Sequence, residues 1–243
     1  MTKTTKTLIM VTCLALTGAA TASAQVQPEP AARGFVSVNV GAQPARSTIS
    51  TSGSFQIYDE TGTFSSAAGV QNSSFFDLNG GLKVWRNLSV GIGYSGFSSR
   101  SSSSVTSSVP HPLFFNRPST TTQVVPDLQR TEHGVHIMAV WRVPVTSKID
   151  VSISFGPSFI KVEQQFVSSG TVATGTQTFT PTLSTESGSV KGANAGFDGT
   201  YMFSSRFGVG LLLRYAGGSG DLATLKGVSA GGFQTGVGGR FRF

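Results

Sequence analysis

The chain has 243 residues, of which 30 are Gly and 18 are Phe, and only 12% are charged. A soluble domain usually has about a quarter of its residues charged, so a surface covered entirely by water is disfavoured. The formal charge of +7 falls to +5 when Lys3 and Lys6 are set aside, and the remaining basic residues stand singly; this pattern argues against nucleic acid as a partner and suits weak attraction to anionic lipid head groups.

At the N-terminus, Lys3 and Lys6 precede an apolar run over residues 8–20, followed by the small residues Ala22, Ser23 and Ala24. That order predicts a cleaved secretory signal peptide over residues 1–24. The run is shorter than the roughly 20 apolar residues a spanning helix needs, and no other segment exceeds it. Cys13 falls inside the signal, so the exported chain offers no disulfide, thiol nucleophile or thiolate metal site. Residues 25–33 read as a short periplasmic segment, and residues 34–243 as one β domain.

From residue 34 onward the apolar residues recur with period two. Val36, Val38 and Val40 alternate with Ser37, Asn39 and Gly41, and the same rhythm returns at residues 75–85, 88–97, 132–143, 150–155, 190–203, 207–215 and 228–243. This is the pattern of strands, and segments of about ten residues match tilted strands that cross a bilayer. The links alternate in length: residues 86–87, 144–148 and 204–206 are short, whereas 44–74, 98–131 and 165–189 are long and polar and 216–227 is intermediate. Short turns on one side and long loops on the other describe an outer-membrane barrel. Two stretches inside the long links, 55–60 and 120–125, have strand character. They read as extensions that carry hairpins above the membrane, with a ten-stranded barrel as the alternative count. The Ser/Thr-rich stretches 101–108 and 171–180 read as solvated, mobile surface.

Parity separates two faces. One collects Val36, Val38, Val40, Leu78, Leu82, Val90, Ile92, Val135, Ile137, Ile153, Phe155, Leu211, Leu213 and Val237 and almost no charge. The other collects Asn39, Asp77, Asn79, Lys83, Glu132, His136, Arg142, Asp150, Asn194, Asp198, Arg214, Gln234, Arg240 and Arg242. Hydrocarbon outside and a polar lumen inside require that segregation. Trp141, Tyr201, Phe203, Phe207, Phe241 and Phe243 gather at the short-turn ends, as an interfacial aromatic girdle does.

The chain ends GVGGRFRF, alternating residues that stop on Phe243, and residues 80–98 read GGLKVWRNLSVGIGYSGFS. Together with the export signal and the strand rhythm, these resemble the small eight-stranded outer-membrane barrels of Gram-negative bacteria, of the outer-membrane protein A and X type, over residues 34–243. The resemblance implies an all-β, eight-stranded antiparallel up-and-down transmembrane barrel in the bacterial outer membrane, surrounded by lipid and lipopolysaccharide. It further implies escort by periplasmic chaperones and insertion by the barrel assembly machinery, with Phe241 and Phe243 as the assembly signal. The Ser-rich loops depart from that family's pattern.

About eight strands leave an interior that side chains fill, so Asp77, Lys83, Glu132, His136, Arg142, Asp150, Asp198, Arg214, Arg240 and Arg242 are expected to form a lumen polar network. Acids and bases buried there should pair. The alternative is a narrow path for ions or small solutes, favouring anions through the arginines at the periplasmic mouth. His133 and His136 point to opposite faces of one strand, and no Ser can be placed beside Glu132 and His136 from spacing alone, so neither an enzyme nor a cofactor or metal site is expected. His133 reads as an interfacial side chain near the outer rim. In the segment HPLFFNRP, Leu113, Phe114 and Phe115 stand in polar surroundings. They are expected either to fold back over the barrel mouth or to form a contact patch for a host surface, a matrix component or another envelope protein. A structural or surface-interaction role therefore stands beside the channel reading, and a soluble lipocalin-like barrel would reverse the two faces.

Overall fold

The computed structural model describes residues 32–44 and 48–243; the expected signal peptide over residues 1–24 and the expected periplasmic segment up to residue 31 lie outside the described residues. Ten strands follow in order: β1 (Gly34–Gln43), β2 (Thr48–Ile57), β3 (Glu60–Gly69), β4 (Ser73–Trp85), β5 (Leu88–Val109), β6 (Ser119–Pro144), β7 (Ile149–Val172), β8 (Phe179–Met202), β9 (Phe207–Gly220) and β10 (Val228–Arg242). Their order in the sheet is β2-β3-β5-β4-β1-β10-β9-β8-β7-β6, and β5 also pairs with β6. That last pairing closes β1 and β4 to β10 into an eight-stranded ring. β2 and β3 stand outside it as a hairpin on β5, so the sheet has ten strands and the barrel eight.

The seam lies between the two ends of the domain. β1 and β10 run antiparallel from Phe35 opposite Arg242 to Ala42 opposite Thr235. Beyond it, the Gly34 N–H donates to the Phe243 carbonyl at 2.9 Å and the Phe243 N–H to the Gly34 carbonyl at 3.2 Å. Gly34 suits this place because a Cβ there would lie 2.5 Å from the Phe243 ring.

Around the ring, Leu82, Val90, Ile92, Ile153, Phe155, Leu211 and Val237 project outward and are exposed, whereas Asn39, Asp77, His136 and Arg214 are buried inside. An apolar exterior on a closed sheet is the arrangement hydrocarbon requires, because closure lets neighbouring strands pair one another's backbone groups and leaves no open edge. The faces are those of a transmembrane barrel, not the reversed ones of a soluble lipocalin-like barrel. At the short-turn end the Phe207 and Phe241 rings stand 5.1 Å apart and those of Phe241 and Phe243 6.0 Å.

Four strands greatly outrun the membrane. β5 has 22 residues, β6 has 26, and β7 and β8 have 24 each. At about 3.3 Å per residue, a dozen residues beyond the span project roughly 40 Å along the strand. The stretch 101–108 is therefore strand rather than mobile loop, and most of the expected loop 165–189 is the β7–β8 hairpin. The physical reason is that uncharged Ser and Thr alternate with inward Val105 and Val109; such residues tolerate the pleated surface, and Ser103, Val105 and Ser107 are buried.

Above Arg130 opposite Gln164, β6 no longer pairs with β7. The register with β5 also shifts between Ser101 and Ser103, where Asp127 adopts φ +59°. A bulge of this kind reverses which residues face inward, and Val125 now packs inside. β3 adds to the other edge of β5 through Thr63 to Ala68. The resulting β2-β3-β5-β6 sheet faces the β7–β8 hairpin across a second core of Phe64, Val105, Val109, Val167 and Phe179. The Phe179 ring lies 5.4 Å from both Phe55 and Phe64. Replacing Phe179 with Ala should destabilise this head by about 3–5 kcal/mol and leave the barrel intact. Limited proteolysis should cut the variant above residue 98 on β5 while the remainder keeps its heat-dependent mobility on a denaturing gel; a lost mobility shift would show that the two cores are not separate.

Candidate functional site

One chain of polar contacts runs through the lumen from Asp198 to Gln164. At mid-height, Arg214 on β9 reaches Asp77 on β4 at 2.6 Å, and both side chains are fully buried. Asp77 also accepts from Asn39 at 2.9 Å and from Asn79. Towards the periplasmic end, Arg240 donates to Asn39 at 2.7 Å and pairs with Asp198, which also accepts from Thr200 at 2.7 Å. Arg242 pairs with Asp150 beside it.

Towards the outer end, Arg214 Nε donates to Gln234 at 2.8 Å, Gln234 to Gln43 at 2.7 Å, and Gln43 to Glu132 at 3.4 Å. Glu132 is paired with Arg130 at 2.7 Å, and Arg130 continues to Gln164 at 3.0 Å. The β10 backbone joins in: Gly231, at φ +78°, turns its N–H onto Glu132 at 2.8 Å. A side chain at Gly231 would bring a Cβ to 1.9 Å from the Ala216 carbonyl oxygen, so the position needs glycine for both conformation and space.

The pairing of residues read from sequence is thus specific. Asp77 meets Arg214, Asp198 meets Arg240, and Asp150 meets Arg242, whereas Glu132 meets Arg130, which sequence reasoning had placed in a loop. Arg142 is half-buried near the periplasmic mouth with its guanidinium 5.3 Å above the Phe35 ring. Lys83 is exposed, at a register irregularity between Lys83 and Trp85, and stands apart from the network. His136 is held by Ser95 at 2.8 Å on Nε2 and by Ser158 at 2.8 Å on Nδ1, two serines that spacing alone could not place. Both ring nitrogens are occupied, and the adjoining void is about 10 Å³, too small for a substrate. A larger void of about 50 Å³ lies among Arg142, Asp150, Asp198, Arg240 and Arg242. His133, by contrast, faces outward against Tyr94, whose hydroxyl lies 2.7 Å from Nδ1.

An apolar cap closes the outer end. Ile49, Ile160, Val162, Phe166, Val190, Leu222, Leu225, Val228 and Ala230 form one cluster. Leu222 and Leu225 come from the β9–β10 connection, whose Thr224 and Leu225 N–H groups donate to Glu186 at 2.9 and 3.3 Å. The Asp221 carboxylate accepts from the Gly227 N–H at 2.8 Å. Glu186 lies on β8 well above the apolar belt. Hydrogen bonding to Thr224 holds its carboxyl below the usual carboxylate range, and the Gly227 N–H does the same for Asp221.

At the far tip, three turns are tied together. Tyr58 and Asp59 both have positive φ, 56° and 57°, in the two-residue turn between β2 and β3, where bulky side chains are rare. The Tyr58 hydroxyl accepts from the Gly175 N–H at 2.7 Å and donates to the Thr176 carbonyl at 3.0 Å in the β7–β8 turn. Glu60 accepts from the Asn116 N–H at 2.7 Å in the β5–β6 turn. Leu113, Phe114 and Phe115 do not fold back: they stand at this apex, 80%, 58% and 70% exposed.

In architecture the chain is similar to several solved structures. Neisserial surface protein A matches with a TM-score of 0.45 at 11% identity, over 86% of this chain and 97% of its own. The outer-membrane protein OprG from Pseudomonas aeruginosa matches at 0.48 and 9%, over 87% and 96%. The attachment invasion locus protein Ail of Yersinia pestis matches at 0.37 and 15%, over 86% and 99%. No protein-family model and no curated protein matches the chain.

Replacing Arg214 with Ala leaves Asp77 buried and unpaired, which should cost about 3–5 kcal/mol in urea unfolding; replacing the pair together, Arg214→Met with Asp77→Leu, should recover most of it. Equal losses in the two variants would show that packing rather than charge pairing dominates. The cap should also respond to acid. Glu186 and Asp221 are depressed in the folded protein, so their contribution is complete above the ordinary carboxylate pKa and is lost as pH falls beneath that range through the folded values. Amide exchange over residues 221–227 should quicken there, and Glu186→Gln should quicken it at neutral pH; unchanged exchange in the variant would show that Glu186 does not hold the connection.

Proposed function

We propose that this protein is a sealed outer-membrane anchor carrying a rigid extracellular head, and that its role is contact at the cell surface rather than transport or catalysis. The observation that carries the reading is the joining of three hairpin tips by Tyr58 and Glu60 over a core of their own. A loop that only links strands has no need of a hydrophobic core, and ordering it has a large entropic cost. The head holds Leu113, Phe114 and Phe115 at a fixed place at the apex, and exposed apolar clusters of this kind mark interaction sites. Below it, paired charges and the apolar cap occupy the path a solute would take.

Two measurements test this. In a planar bilayer the purified barrel should give no discrete conductance steps; steps whose size changes in Arg214→Ala would establish the narrow channel instead. Cells displaying Phe114→Ser with Phe115→Ser should lose adhesion to epithelial monolayers and matrix-coated plates while the barrel stays folded by its gel shift. Adhesion equal to that of the unmodified protein would remove the apex from the reading.

A further inference from the structure

We infer that the outer rim of the barrel carries a binding site for the phosphate of an outer-leaflet glycolipid, formed by Lys161 and Lys191 with His133 beside them. The inference rests on placement of the barrel in an outer membrane and adds a specific lipid partner to it. Moving outward from the short turns along the lipid-facing positions of β6, β7 and β8, the first charged or imidazole side chains are His133, Lys161 and Lys191; β5 has its first at Arg100, four residues beyond the Gly96 that stands opposite His133, β4 has only the exposed Lys83 at its short-turn end, and β1, β9 and β10 have none.

The register brings the three together. His133 stands directly opposite Lys161. Lys191 stands opposite Phe159 and is thus diagonal to Lys161, a separation of about 7–8 Å between neighbouring strands that two lysine side chains can close onto one anion. Both lysines are exposed. Glu163, two residues further from the membrane, pairs with Lys161 at 3.0 Å; among the described residues Lys191 makes no ion pair. The phosphate would therefore share Lys161 with Glu163 and have Lys191 to itself.

The surroundings specify the rest of the ligand. Towards the membrane lie the exposed Phe159 and Val135, which suit acyl chains. Away from it, around Glu163, the same face continues through the uncharged, hydrogen-bonding Thr131, Gln165, Ser187 and Ser189, which suit sugar rings. A cation on a lipid-facing position is costly at the bilayer midplane and nearly free at the interface, and lysine stems extend along apolar surface to keep their ammonium groups at that level. Charge-assisted hydrogen bonds to phosphate then supply the attraction.

The test uses the folded protein in phosphatidylcholine nanodiscs doped with either bisphosphorylated lipid A or phosphatidylglycerol, with bound lipid read by native mass spectrometry. The unmodified protein should retain lipid A in preference to phosphatidylglycerol. Lys161→Gln with Lys191→Gln should retain it at least about tenfold less, roughly the loss of one charge-assisted hydrogen bond, while Lys148→Gln with Arg206→Gln at the short turns should retain it fully. Equal retention in the two double variants overturns the site. Equal retention of both lipids by the unmodified protein overturns the glycolipid and leaves general attraction to anionic head groups. A protein with no heat-dependent mobility shift in the nanodiscs would instead refute the membrane placement on which the site depends.

Discussion

The structure depends first on the absence of water in the bilayer. A strand that enters hydrocarbon with one edge unpaired leaves a row of N–H and C=O groups unsatisfied, at several kcal/mol each, so the sheet must meet itself. The seam between β1 and β10 supplies that closure, extended by the two hydrogen bonds between Gly34 and Phe243. Above the membrane the requirement lapses. There β6 parts from β7, and a hairpin that could not exist as an open edge within hydrocarbon is added to β5.

Ring size then dictates the interior. Eight strands enclose a space that side chains fill, and the inward parity of a lipid-facing strand is its polar one. Charges packed that closely pair with one another: Arg242 with Asp150, Arg240 with Asp198, Arg214 with Asp77, and Arg130 with Glu132. No residue in that series is free to release its partner without stranding a charge. With the interior committed to its own pairing, the proposed recognition falls to the outside of the molecule: the rim and the head.

Much of this was legible in residue order. Parity alone separated Val38, Ile92 and Leu211 from Asp77 and Arg214, and the terminal aromatics marked the periplasmic edge. What escaped was whatever depends on register or on composition without an apolar stripe. Residues 101–108 present hydroxyls on both sides and a single valine, Val105, on the inward one, so nothing in them announces a buried strand. Asp127 reverses parity in β6 through a left-handed conformation that spacing does not encode. Arg130 was hidden because its segment looked like loop, and Ser95 and Ser158 reach His136 only through pairings that place Ser95 opposite Gly134 and Ser158 opposite His136. Lys83 left the lumen for the same kind of reason, at an irregularity beside Trp85.

The Tyr58 hydroxyl bears on how the molecule would carry a mechanical load. Because it joins the β2–β3 turn to the β7–β8 turn, and Glu60 joins the same hairpin to the β5–β6 turn, tension applied at Phe114 is divided among three hairpins rather than drawn through one. In β5, β6, β7 and β8 that tension runs along the strands towards the bilayer. Their ladder hydrogen bonds lie across the pull and resist it side by side, in shear, instead of opening in turn from one end.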